Sequence, residues 1–501
     1  MIPVARYFTL TLCAFISSSF YQQTFAQLDQ RKRLEIQLGV RESEFRVIPV
    51  ESFGVLLYRS KSERRQDFLE LQRLDTAFRL QWKNIIPVER KFQPILSKHV
   101  GYDQYMLFFH SEYKEINFRL YKIKLDSGSY QVDTIFNIIP FLPTHFEVNR
   151  VGALIGGYLI NRIPVVVFYD FTTRKTRILP GLFNEQGELL QIQVNPDQSF
   201  HVLISTQPRA RFKTIWVKYY DASGNIRNNT LLRTEQNVSL LSGRSIKSNR
   251  DDVVVAGTYG MRTAEYSSGL FIARISKEGD QEIRLYPFYE LQNFFKYLKP
   301  RQEKRVRQRI EQKLSKGKRT KLQYRILVHQ LIPFDNQFIL LGEAFYPVYK
   351  RDDRFNYGLA VSAYVPYIFD GYRYTHAVVI GFDQQGNLLW DNSFEINDVK
   401  TFNLEQFVKL DYRNNRVALL YLFDNRIRYK LIQNNQVIEG KKINPLELSF
   451  QAEEPEVDED IKRLEYWYPG NFLAYGIQRP YSRAVSRSRE RFFFINKVAY
   501  R

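Results

Sequence analysis

Between Pro300 and Lys316 seven cationic side chains, Arg301, Lys304, Arg305, Arg307, Arg309, Lys313 and Lys316, stand against only Glu303 and Glu311. A net charge of +5 on about 25 Å of helix is chemistry for holding an anion, by attraction and by charge-assisted hydrogen bonds. Lys304, Arg305, Arg307 and Arg309 form the centre of that run and are the first candidates for contact with an anionic partner. The alternative is a docked helix whose basic face is merely solvated. A second group, Tyr346, Tyr349, Tyr357, Tyr364, Tyr367, Tyr372 and Tyr374, crowds a short stretch further on. Tyrosine clusters offer flat apolar faces with polar tips, suited to sugar rings or to protein hot spots, and Tyr346, Tyr349, Tyr372 and Tyr374 are taken as binding candidates. Covering the outside of a domain would need the same residues. Glu343 follows an apolar strand and Gly342, which makes it a carboxylate bound for burial and in need of a partner. Structural pairing and ligand binding are both open to it.

Residue types for bond-making chemistry are present without the spacing that would reveal it. The six histidines, His99, His110, His145, His201, His329 and His376, form no HxH or HExxH pattern. The single cysteine, Cys13, lies in the first 26 residues. No glycine-rich phosphate loop, zinc spacing or aromatic RNA-binding pair occurs, so no cofactor, metal or nucleic acid is expected and no catalytic residue is assigned. The acidic run Glu453 to Asp460 lacks the spaced ligands and glycine of a calcium loop and reads as a solvated connector.

These candidates must be carried by elements, and the elements repeat about every fifty residues. A strand ending in a hydrophobic–Asp step recurs at Asp75, Asp126, Asp170, Asp221 and Asp383, with degenerate copies near Ser276 and Asn434. Turns with Gly or Asn follow most of them, as in Asp221 to Asn225 and Asp383 to Asn387, which is hairpin chemistry. Each hairpin is preceded by an apolar strand and a weaker alternating one, such as Leu190, Ile192 and Val194 on one face. Three to four short strands per copy predict an all-β chain with a single β-propeller of eight blades, seven being the alternative. The last copy, ending near Phe492 to Ile495, lacks a fourth strand, and Arg33 to Leu38 is expected to supply it and close the ring. Two insertions interrupt the pattern: a helical one at about 291–321, with Pro300 opening and Gly317 ending the helix, and a tyrosine-rich loop at about 346–374. Strand alternation predicts that both emerge at the same end of the ring.

Arg6, the apolar run Tyr7 to Ile16 and the small-x-small triplet Thr24-Phe25-Ala26 read as a signal peptide over residues 1–26, leaving 27–501 as the propeller domain. No later apolar run is long enough to span a bilayer as a helix. The formal net charge of +20 on 501 residues favours anionic surfaces as partners. The phrases Leu340 to Pro347, Phe369 to Ala377 and Gly381-Phe382-Asp383 to Trp390-Asp391 resemble uncharacterised secreted β-propeller-like proteins of Bacteroidota. The resemblance implies an exported protein of the periplasm or cell surface and carries no assigned chemistry. The function expected is therefore a non-enzymatic binding or scaffold propeller of the cell envelope, holding an envelope protein, an anionic polysaccharide or a lipid surface. A propeller glycoside hydrolase or polysaccharide lyase is the alternative. It would need paired carboxylates, or a Tyr or His base beside an Arg, at one mouth of the channel.

Overall fold

The computed structural model describes residues 28–63, 65–110, 117–136, 139–182, 186–207, 212–234, 237–248, 251–261, 265–318, 320, 322–351, 367–448, 462–479 and 490–500. The expected signal peptide, Tyr357, Tyr364 and the acidic run 453–460 lie outside the described residues. Eight antiparallel sheets follow one another along the chain, seven of them built on four strands in sequence order. Blade 1 spans Arg46–Val88, blade 2 Phe92–Phe136, blade 3 Leu142–Ile178, blade 4 Gly187–Leu231, blade 5 Ser239–Pro287, blade 6 Arg325–Glu395 and blade 7 Lys409–Pro445. Blade 8 takes three strands from Arg463–Tyr500 and its outermost from Leu28–Leu38. That strand pairs Leu34 with Ile495 and Ile36 with Phe493, so the ring closes where alternation predicted. Among the described residues no helix is long and apolar enough to cross a membrane.

The period seen in the sequence is a repeated hydrogen-bonding device. The Asp221 carboxylate accepts from the backbone N–H of Ser223 and Asn225 at 3.0 and 2.9 Å, and Asp383 accepts likewise from Gln385 and Asn387 at 2.9 and 2.7 Å. Asp75 does the same with Ala77 and Arg79. Each such aspartate fixes the turn between the two outer strands of its blade by satisfying donors that the ladder leaves free.

The apolar strand faces meet between blades rather than within one. Eight buried clusters occupy the eight interfaces. At the closing interface Trp467 of blade 8 stacks on Phe78 of blade 1 with centroids 5.8 Å apart, and its indole N–H donates to the Gly54 carbonyl at 2.7 Å. Gly54 has φ +111°, and a Cβ there would sit 1.9 Å from the Leu74 carbonyl oxygen, so only glycine fits this turn.

The two ends of the ring differ sharply. At one end, where first meets second strand and third meets fourth, every connection is two to five residues long, as between Val100 and Asp103 or Tyr220 and Ile226. All connections longer than five residues leave from the opposite end, including 288–324, 352–366, 396–408, 446–462 and 479–490. Antiparallel alternation fixes this placement, and it puts both insertions of blade 6 at the same end, as expected. We call this the long-connection end. Function concentrates on loops held by a rigid scaffold, which directs attention there.

Candidate functional site

The first insertion reaches the long-connection end through a clamp on blade 6. Backbone N–H groups of Gln292 and Asn293 donate to the Asp391 carboxylate at 3.0 and 2.7 Å, and Ser393 donates to the Asn293 carbonyl at 2.8 Å. A 3-10 turn, Phe294–Tyr297, follows, and Tyr297 stacks on the ring of His376 at 3.7 Å. The helix α1, Pro300–Leu314, then folds back with Pro300 at its first position. Ile310 is buried and Val306 packs beside it against the cluster that holds Phe294 and Phe295. Leu314, the third member of the predicted stripe, is 42% exposed, so two anchors rather than three seat the helix.

Of the four central cations, Lys304, Arg305 and Arg309 are exposed. Arg307 is a correction. Its guanidinium donates to Glu303 at 2.9 Å and to the Gln292 carbonyl at 2.5 Å and lies over the Phe295 ring. It fastens the helix and is already spent in doing so.

At its described ends, 346–351 and 367–374, the second insertion is a paired ladder. The middle strands of blade 6, Gln337–Arg351 and Tyr367–Asp383, keep pairing beyond the blade body, with Tyr346 opposite Arg373, Pro347 opposite Tyr372 and Arg351 opposite Tyr367. Bulges after Ala344 and Val348 re-aim it, and the short strand Lys400–Thr401 pairs with its flank at Tyr372 and Arg373. Tyr346 and Tyr349 are 44% and 56% exposed, consistent with a contact surface. Tyr372 is half-buried, edge-on to Phe345 and Phe369. Tyr374 is a further correction: it is buried, and its hydroxyl donates to the Glu405 carbonyl at 2.6 Å and accepts from the Glu405 N–H at 3.0 Å. It holds the 396–408 connection and touches no solvent.

Glu343 is corrected in the same way. Fully buried, it accepts through Oε1 from the N–H of Phe407 at 2.9 Å and of Val408 at 2.7 Å and through Oε2 from the Phe407 N–H at 3.1 Å, and His329 Nε2 lies 2.8 Å from Oε1. The structural pairing is what the carboxylate does, with backbone donors and a histidine where an arginine was expected. It offers no free oxygen to a ligand.

The sequence reading missed a polar cleft at this end. It has a volume of about 1040 Å³ and lies at the entrances of blades 8 and 1, reaching Gln93 and Pro94 of blade 2. Arg46 opens the inner strand of blade 1 and is in register with Tyr58; Arg463 opens the inner strand of blade 8 and is in register with Tyr475. All four side chains line the cleft. Its carboxylates are neutralised from within: Glu42 by Arg59 at 2.9 Å, Glu44 by Arg491 at 2.7 Å and Glu465 by Lys409 at 2.9 Å. Arg59 itself is buried and also binds Glu70 at 2.7 Å, a carboxyl held far below its usual range by Lys61, Lys83 and Arg59 against the cost of burial. Arg46 and Arg463, by contrast, are exposed and have no ion-pair partner among the described residues. Burial, with the Glu465 carboxylate nearby, pushes the Tyr475 phenol above the usual tyrosine range.

Other groups near the inner strands are committed to each other. Lys98 and Glu147 bridge blades 2 and 3 at 2.7 Å, and Arg244 donates to the Leu190 carbonyl at 2.7 Å. Burial, then the Arg244 charge, lowers His145 to about 4. A smaller apolar cleft of about 700 Å³ lies between blades 3 and 4, lined by Phe141, Leu142, Tyr158 and Ile160. Among the described residues no group of three or more metal-ligating side chains comes together.

No family model matches the chain, and no curated protein matches it. Among solved structures, the polysaccharide lyase Uly1 superposes at 10% identity over 80% of this chain and 89% of that one, with a TM-score of 0.40. The β-propeller domain of the Trilobed protease from Pyrococcus furiosus, described as having an open velcro topology, superposes at 8% identity over 77% of this chain and 92% of its own, with a TM-score of 0.37. The dihydro-heme d1 dehydrogenase NirN gives 12% identity over 93% and 78%, with a TM-score of 0.43.

Proposed function

We propose that the chain is a non-enzymatic binding or scaffold propeller of the cell envelope, exported by its N-terminal segment, which holds an anionic partner on its long-connection end. The observation that carries this reading is the asymmetry of the ring: every long connection leaves from one end, and the helix carried by one of them exposes Lys304, Arg305 and Arg309, which have no ion-pair partner among the described residues. A net charge of +20 adds a field that draws anions toward it. The hydrolase or lyase alternative is the weaker one. The cleft carboxylates Glu42, Glu44 and Glu465 are each occupied by a cation, and a phenol raised by burial, as in Tyr475, is a poor base at neutral pH.

Retention of the full chain on an immobilised anionic polysaccharide such as polygalacturonate tests the reading. The chain should be retained at low salt and released as salt rises, because exposed charges are screened beyond roughly 8 Å at physiological ionic strength. Lys304→Glu with Arg305→Glu and Arg309→Glu should elute at clearly lower salt with an unchanged melting temperature, since none of the three is buried. Arg307→Glu should instead destabilise the chain, because Arg307 anchors the helix. Failure of the wild-type chain to bind any anionic polysaccharide or acidic envelope protein would overturn the reading. Unchanged elution of the triple variant would remove the helix from it.

A further inference from the structure

The cleft at the entrances of blades 8 and 1 has a feature that recurs in no other blade. At the entrance of each blade the inner strand begins opposite the end of the second strand. The facing pairs there are Phe92 with His110, Leu142 with Tyr158, Gly187 with Thr206, Ser239 with Gly260, Arg325 with Phe345 and Lys409 with Leu420. Only Arg46 with Tyr58 and Arg463 with Tyr475 place a guanidinium beside a phenol. Arg325, the one other arginine in such a position, is turned to Glu265 at 3.3 Å. The two Arg–Tyr pairs sit on adjacent blades, whose inner strands approach to within 8 Å between Cα atoms, and both pairs face one cavity.

We propose that this cleft is a binding site for an acidic oligosaccharide, in which Arg46 and Arg463 each take the carboxylate of a uronic acid unit and Tyr58 and Tyr475 receive the sugar faces. The proposal deepens the anionic-partner reading given above and rests on it. Its chemistry follows from the pairs. A guanidinium presents a planar fork that fits a carboxylate through two parallel hydrogen bonds, and a free one is a ready donor. A tyrosine in cross-strand register with it supplies an apolar face and a hydroxyl tip within reach of the same bound unit. Repeating the pair on the next blade makes a site for a polymer with an acid on successive units. The cleft volume of about 1040 Å³ is at the upper end of ordinary small-ligand pockets and fits more than a single sugar. The walls favour an anionic occupant over a cationic one and hold a neutral one less strongly: with Glu42, Glu44 and Glu465 already paired, the charge left over is that of Arg46 and Arg463.

Calorimetric titration of the full chain with trigalacturonate is the test, with a neutral maltotriose control and anionic phospholipid vesicles in separate runs. Wild type should bind trigalacturonate and ignore maltotriose. Arg46→Ala with Arg463→Ala should weaken binding by about 30-fold or more, as expected for losing two charge-assisted contacts. Arg46→Lys with Arg463→Lys should recover only part of the loss, because an ammonium keeps the charge without the fork. Tyr58→Phe with Tyr475→Phe should cost less than the alanine pair at the arginines. A melting temperature unchanged in the arginine variants keeps a folding defect from imitating a binding one. Trigalacturonate affinity equal in wild type and the double alanine variant overturns the cleft proposal, as does no binding by wild type. If anionic vesicles or polysaccharide are still held, and are released by the triple helix variant but not by the cleft variant, the cleft proposal falls while the anionic-partner reading stands. If neither variant changes anything, the cleft proposal falls and the helix leaves the anionic-partner reading; if wild type holds no anionic partner at all, both fall.

Discussion

Removing residues 28–38 should leave a chain that no longer folds as a soluble monomer. The strand is the fourth of blade 8, and its partner, Arg491–Tyr500, would present a full row of unpaired N–H and C=O groups along its outer edge. Leu28 and Leu38 are buried and Leu34 and Ile36 half-buried against clusters that blade 8 shares with blades 7 and 1. At about 1.5 to 3 kcal/mol for each buried aliphatic side chain, the loss is at least about 5 kcal/mol. That is comparable with the whole stability of an ordinary domain, about 5 to 15 kcal/mol. The ends of the chain are also where a ring of blades has no covalent continuity, so the loss falls where nothing else compensates. Thermal unfolding and size-exclusion chromatography read the outcome: aggregation or a melting temperature lower by about 5 °C or more is expected, since an unfolding entropy of about 2 cal/mol/K per residue gives about 1 °C per kcal/mol for a chain of this length. A synthetic peptide of residues 28–38 added in trans should restore part of the stability. A truncated chain that melts within a degree or two of the full one, as a monomer, would show that the closure contributes little.

This closure was legible because it depends on pattern alone. Alternation in Arg33 to Leu38 and a missing fourth strand after Phe492 to Ile495 are both properties of short stretches, and a ring without free edges is their only common solution. The helix was legible for the same reason, with Pro300 at its start and Gly317, φ +62°, past its end. Within the tyrosine-rich insertion, Pro347 and Gly371 are residue types usual in turns. They stand on paired strands instead, offset by one register step at a bulge, and Gly371 is needed because Thr401 crosses so closely that a Cβ would lie 2.7 Å from its carbonyl oxygen. Tyr374 was read as a binding residue, and Glu343 was left between pairing and ligand binding, because what buries both is the 396–408 connection, which comes later in the chain and whose own sequence gives no sign of where it will lie. The Arg–Tyr cleft was out of reach altogether. Arg46 and Arg463 come from opposite ends of the chain and become neighbours only once the ring is closed and its registers are known.

Acidification from pH 6.5 to 4.5 should destabilise the chain through two histidines that carry no assigned function. His201 and His376 are fully buried, and burial lowers both to about 3, with the Lys247 charge adding to the effect at His201. His201 lies against Tyr219 at 5.2 Å with neither ring nitrogen hydrogen-bonded among the described residues, while His376 stacks on Tyr297 and meets Thr375 Oγ1 at 3.0 Å. Each is neutral in the folded chain and takes up a proton near 6.5 when unfolded. Below that value the unfolded state binds more protons than the folded one, so the stability present at neutral pH is lost as the pH falls toward 3. By pH 4.5 the loss is about 2 to 3 kcal/mol for each histidine. Glu70, whose carboxyl is depressed, starts to contribute in the same direction only below its unfolded value of 4.5, so it leaves the window to the histidines, where His145, lowered to about 4, and His99, also lowered by burial, add a smaller loss that the double variant below retains. Glu147 and Asp391, both raised by burial, act in the opposite sense and shallow the wild-type slope. The variant His201→Phe with His376→Phe separates these contributions. It keeps a flat ring against Tyr219 and Tyr297 and removes both titrating groups, which lie in different blades and should act additively. Urea unfolding at pH 6.5, 5.5 and 4.5 should show a steep loss in wild type and a much flatter one in the double variant, whatever the variant's stability at pH 6.5. Equal slopes in the two proteins would mean that acid acts elsewhere and that these buried rings are protonated without cost.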